Sequence, residues 1–182
     1  MEAIVPFALS NVSLTFLVIG LLVGGIAAMR SDRPSTRPTV AAKLLWGYLL
    51  FAMGLSMIYN FVMHVFFAEM AAEFIGWDKS PFQYEVGYAS LGFGVVAVLA
   101  RNRGWELQLA AILGPALFMW GAAGGHVYQM IVAGNFAPGN AGVIFWTDIF
   151  LPVLGLVLLQ MAHGHCPCVE RLEGGGAPAA PL

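Results

Sequence analysis

Apolar residues in this chain come in long, nearly unbroken blocks, not at the spacing that gives a helix or a strand one greasy face. A segment with apolar residues every third or fourth position buries one stripe. A block of roughly 20 is apolar all round and, as a helix, long enough to cross hydrocarbon. Five blocks meet that standard: Val5–Met29, Leu44–Phe67, Pro81–Ala100, Trp105–Ala133 and Val143–Ala162. The connections are short, and no segment repeats. The pattern predicts an all-α, polytopic transmembrane bundle of five helices over residues 1–168. A tail, 169–182, follows, and its Gly/Ala/Pro composition is that of a disordered segment.

Composition strengthens this reading. The chain is 59% hydrophobic and 10% charged, with a mean hydropathy of +0.79, whereas soluble domains are about 45–50% apolar and about 25% charged. The N-terminus lacks the basic start of a secretion signal, so its apolar run reads as a retained helix. A net charge of -2, without a basic patch interleaved with aromatics, excludes nucleic acid as a partner and leaves the lipid bilayer. Charge position gives an orientation. Arg30, Arg33, Arg37 and Lys43 follow the first block, Arg101 and Arg103 the third, and Arg171 the fifth. The other loops hold Glu69, Glu73 and Asp78 against Lys79, or no charge at all. Basic loops stay in the cytoplasm, so the N-terminus is expected outside and the C-terminus inside, in an inner (plasma) membrane.

Local signals add detail. Gly20, Gly24 and Gly25 form a small-residue face on the first helix that would admit a second copy or another membrane protein. Ser80-Pro81-Phe82-Gln83 predicts a capping box, with Gln83 a cap and not a ligand. Trp77 and Trp105 read as interfacial anchors, and Asn140 as the cap of the fifth helix. Pro152 lacks an N–H and so frees the carbonyl of Asp148.

Several segments carry a resemblance: Ile75-Gly-Trp77, Ser80-Pro-Phe-Gln-Tyr-Glu-Val86, Gly125-His-Val-Tyr-Gln-Met-Ile131, Gly134-Asn-Phe-Ala-Pro-Gly-Asn-Ala-Gly142 and Thr147-Asp-Ile149. Over about Phe74 to Pro152 the chain resembles a family of small prokaryotic multi-pass membrane proteins without an assigned function. The resemblance implies the membrane architecture and a prokaryotic inner membrane. It brings no activity, substrate or catalytic residue with it.

The candidate chemistry lies in the ionisable residues inside the blocks. His64, Glu85, His126 and Asp148 each fall about one to two turns from the outer end of a different helix, and the inner halves hold none. Such residues are costly in hydrocarbon and are usually functional. Met53, Met57, Asn60 and His64 share one helix face; Met119, Ala122, His126, Gln129 and Met130 share another. Two imidazoles and two carboxylates suit a divalent ion such as Zn, Mn or Fe, with Asn60 and Gln129 supporting the ligands. Metal binding is therefore the leading expectation. His64 and His126 could instead ligate haem, without further haem signature. The alternatives are a structural or interaction subunit whose His–carboxylate pairs fix helix register, and a proton- or ion-coupled transporter, against which the apolar inner halves count. The motifs of nucleophilic and zinc hydrolases and of phosphate loops are absent, so whether the chain is an enzyme stays open. Near the end, His163, His165, Cys166 and Cys168 could hold Zn or Cu(I), or be plain reduced thiols and imidazoles.

Overall fold

The apolar blocks become helices in a computed structural model that describes residues 10–32 and 34–164. In chain order these are α1 (Val12–Met29), α2 (Arg37–Phe66), α3 (Ala68–Ile75), α4 (Phe82–Ala100), α5 (Trp105–Val132), the single turn α6 (Pro138–Ala141) and α7 (Val143–His163). Among the described residues, five stretches are long and apolar enough to cross a membrane: α1, α2, α4, α5, and α6 taken together with α7. Residues 165–168, with the candidate ligands His165, Cys166 and Cys168, and the tail 169–182 lie outside the described residues. His163 is within them, and its Nε2 pairs with Gln108 Oε1 at 2.8 Å.

Two helical segments exceed what hydropathy predicts. Helix α2 begins at Arg37, not Leu44, because Thr36 caps it: the Thr36 hydroxyl accepts from the Thr39 N–H at 3.4 Å, and Pro38 sits in the first turn. Hydropathy reads α3 as a connection because it is too short and too charged for a spanning block. Yet Ala68, Ala71 and Ala72 are buried while Glu69 and Glu73 are exposed, the pattern of an amphipathic helix. It ends at Gly76, whose φ of 75° lets the N–H groups of Gly76 and Trp77 both reach the Ala72 carbonyl, at 2.8 and 3.1 Å. On its exposed side Lys79 Nζ lies 2.7 Å from Glu69 Oε1. That contact holds the Glu69 carboxyl below its usual range and the Lys79 ammonium above its own.

Helix α2 is the centre of the bundle, with α1, α4 and α7 packed around it. Its middle, Tyr48–Leu55, is wound as a π-helix, and Tyr48, Leu49, Ala52, Met53 and Gly54 are all buried there. Neighbouring backbones come unusually close. A Cβ on Gly20 would lie 2.6 Å from the Gly47 carbonyl oxygen, and one on Gly24 2.6 Å from that of Lys43, so these positions exclude side chains. The small-residue face of α1 is thus occupied by α2 of the same chain, and Gly25 alone of that trio meets nothing within 4 Å. Across from it, the Tyr48 hydroxyl donates to the Leu151 carbonyl at 2.8 Å, one residue before Pro152. Leu45, Leu49, Met53, Ile112, Leu151 and Leu158 complete a close-packed core. The outside is also apolar, with Leu22, Leu117, Ile131 and Phe150 among its exposed side chains.

Candidate functional site

The close packing opens at the end of the bundle where α2 gives way to α3 and α5 to α6. A cavity of about 870 Å³ lies there, walled by α2, α3, α4, α5 and α7 and by the start of α1. Its lining is mainly apolar. Met57, Asn60 and His64 line it from α2, Met119, Ala122 and His126 from α5, and Asp148 from α7. The faces predicted on the two helices therefore point into one space from Met57 to His64 and from Met119 to His126, without Met53, Gln129 or Met130.

His126 is the hub of the α5–α7 side. Its Nδ1 lies 2.8 Å from Asn140 Oδ1, and the Trp77 indole N–H donates to that same oxygen at 2.9 Å. The Asn140 amide donates to the carbonyls of His126 and Asn135, at 3.2 and 2.9 Å. Both amide hydrogens are used, which fixes Oδ1 as an acceptor and makes His126 Nδ1 the donor. Nε2 then faces Asp148 Oδ2 at 3.6 Å. That is an ion-pair distance, too long for a hydrogen bond. A bare Nε2 lone pair would repel the carboxylate, and a proton on either group would turn the contact attractive. Trp77 stacks obliquely on the His126 ring, with centroids 5.5 Å apart.

The hairpin loop explains how Asn140 gets there. Asn135 Oδ1 accepts from the Ala137 N–H at 3.0 Å, an Asx turn, while its amide donates to the carbonyls of Ile75 and Gly76, both at 3.0 Å. Gly139 lies against the end of α3, where a Cβ would come 2.5 Å from the Phe74 carbonyl oxygen. The loop therefore clasps the end of α3 and drops Asn140 into the interior, where it is fully buried. Asn140 is not the cap of α7, which starts after Gly142 without a side-chain cap. Trp77 serves as a hydrogen-bond donor within the fold, beyond the anchoring expected of it.

The α2–α4 side is different. His64 lines the cavity, and its Nδ1 is buried with no hydrogen-bond partner among the described residues. Asn60, one turn earlier, donates to Ser90 Oγ at 2.9 Å. Gln83 donates to the Ala68 carbonyl at 2.7 Å, so the capping box expected with Ser80 is not made. It sits on the inward face of α4 with Gly87 and Ser90, and it reaches across to the start of α3.

Glu85 is on the opposite face of α4, exposed and away from the cavity. Residues two apart on a helix are separated by about 200°, so with Gln83 inward Glu85 must face out. Gln129 is half-buried and also outside the cavity lining. The expected four-ligand set of His64, Glu85, His126 and Asp148 therefore does not converge. Among the described residues, no group of three or more His, Cys, Asp or Glu is placed to hold a metal ion. Of that set, His126 and Asp148 meet, and His64 faces the same cavity from another wall. Sequence reasoning missed Asn140, Asn135 and Trp77 as members of the site. The signal was available in the two asparagines of an uncharged loop, since a short polar side chain between apolar helices must find internal partners.

Neither the curated proteins nor the solved structures offer a match to this chain. A family model does match, over residues 10–167, which takes in every described helix and the whole cavity. The chain belongs to that family, described as a family of unknown function (DUF6790).

Proposed function

We propose that this protein is an integral membrane protein that binds a small, mainly apolar molecule in the cavity between α2, α4, α5 and α7. The observation that carries the reading is the cavity itself. Its volume of about 870 Å³ falls in the range of ligand sites, about 300–1,000 Å³, and such sites combine apolar walls with a few placed polar groups. The apolar exterior and the five long helices support the membrane setting. The basic loops at the opposite end support a cavity opening toward the outer face of a plasma membrane. In this reading the His126–Asp148 pair and Asn140 hold α5, α7 and α3 in register and so build one wall of the site.

The test is to purify the protein in nanodiscs, release bound small molecules and identify them by mass spectrometry, beside an Ala122→Phe variant. Ala122 lines the cavity one turn before His126, so a phenyl ring there fills the space. The expected result is a molecule present in the wild type and depleted in the variant. Identical contents in the two, with the variant folded, would reject the cavity as a binding site. Orientation is checked in a Cys166→Ser, Cys168→Ser background by labelling Ser80→Cys and Arg103→Cys with an impermeant maleimide on intact cells. Labelling at 80 and not at 103 is expected, and the reverse overturns the orientation.

A further inference from the structure

Among the described polar groups that line the cavity, His64 is the one with a buried side-chain atom left unpaired. His126 is engaged by Asn140 and Asp148, Asn60 by Ser90, Gln83 by the Ala68 carbonyl, and Ser56 donates to Ser13 Oγ at 3.1 Å. The buried Nδ1 of His64 has no such partner among the described residues. Buried polar atoms in native proteins are almost always paired, so a lone one on the wall of a cavity calls for a partner supplied from within it. The charge of the lining narrows the choice. Among the described residues no Lys or Arg lines the cavity, so an anionic head would have no counter-charge. Two carboxylates line it: Asp148 is matched by His126, and Asp78 is exposed, where solvent screens its pull on a cation. Met57, Met63, Met70 and Met119 also line it, and unbranched thioether side chains adapt to a flexible chain.

We infer that the cavity takes an uncharged single-chain amphiphile whose hydroxyl or carbonyl oxygen pairs with His64 Nδ1 while its apolar body lies against the methionines. This rests on the cavity reading proposed above and adds the chemistry of the head group.

The test is a length-matched series added to the protein in nanodiscs: 1-dodecanol, dodecane, laurate and dodecyltrimethylammonium, with the saturable rise in Tm as readout. 1-Dodecanol is used because its hydroxyl can donate or accept and so suits either tautomer of His64. It should bind best of the four. His64→Leu should weaken its apparent Kd about tenfold, the size of one hydrogen bond, while leaving dodecane unchanged. His64→Gln, which restores a hydrogen-bonding side chain, should recover most of the loss and stands in if the leucine variant does not fold. Equal dodecanol affinity in wild type and His64→Leu, or tighter binding of laurate or the ammonium, overturns the head-group inference. If dodecane binds as well as dodecanol, that inference falls and the cavity reading stands. If no probe binds and Ala122→Phe changes nothing, the cavity reading falls too.

Discussion

The two sides of the cavity each present a histidine, and the comparison between them separates architecture from capacity. On the α5–α7 side, His126 is 5% exposed, its Nδ1 is bonded to Asn140 and its Nε2 faces Asp148. On the α2–α4 side, His64 is half-buried and its Nδ1 is unpaired among the described residues. Residue type and depth along the helix are alike; the neighbours are not. A hairpin loop folds back over α5 and supplies Asn140 to His126, and α7 supplies Asp148, whereas α4 offers small residues there, and Gly87 lies beside His64 Cβ. A buried polar group with all its partners rigidifies a fold, and one without them is open to a ligand.

Substitutions can break this comparison or sharpen it. The largest effect is expected at Asn140. Asn140→Ala leaves the Trp77 indole, His126 Nδ1 and two backbone carbonyls without their partner. Each such loss costs about 1–3 kcal/mol, and with partial relaxation the total should be about 3–5 kcal/mol, read by unfolding of detergent-purified protein. A cost below about 1 kcal/mol would show that the clasp does not hold this wall together.

Next comes the difference between the histidines themselves. His126→Leu should destabilise by about 2–4 kcal/mol, because it takes one of two donors from the Asn140 oxygen and strands Asp148 in the interior. His64→Leu should be neutral or stabilise by up to about 1 kcal/mol, since it removes an unpaired polar atom. Equal costs at the two positions would erase the distinction.

A smaller effect concerns the pair. A double-mutant cycle with His126→Ala and Asp148→Ala should give a coupling of about 1–2 kcal/mol. The same cycle on His64 and Asp148 should give a value near zero.

The smallest effect lies on α3, the element that the hairpin clasps. The Lys79 contact depresses the Glu69 carboxyl, so its contribution is present above the unfolded value of 4.5 and fades as pH falls through the lower folded value. Lys79 is raised, so its contribution is complete below 10.5 and fades as pH rises through the higher folded value. Lys79→Gln should slightly flatten the stability profile at both ends, and a profile identical to wild type would show the pair to be inert. Both groups are exposed, and salt should diminish the effect.

Much of the helical plan was legible because it depends on distance along the chain alone. Thr36 and Pro38 lengthen α2 beyond its apolar block, and α3 was readable from Ala68, Ala71 and Ala72 set against Glu69 and Glu73 once a short amphipathic period is sought. The inward face of α4 was readable too: Gln83, Gly87, Ser90, Gly94 and Ala97 recur at helical spacing, which turns Glu85 outward. Depth misled there, since residues at one level on four helices can point in four directions.

What the sequence by itself determined is where each helix runs and how far along it each polar group lies, because a rise of about 1.5 Å per residue converts position into height. Only the tertiary structure decided which way those groups face and what they meet. A helix that is apolar all round carries little record of its own rotation, and that rotation is set by the close backbone contacts of α2 with its neighbours. The Asn140 that binds His126 comes from a loop that reaches the interior only because Asn135 and Gly139 seat it on the end of α3. His64 has no such loop above it, and no feature of its own helix could have told the two histidines apart.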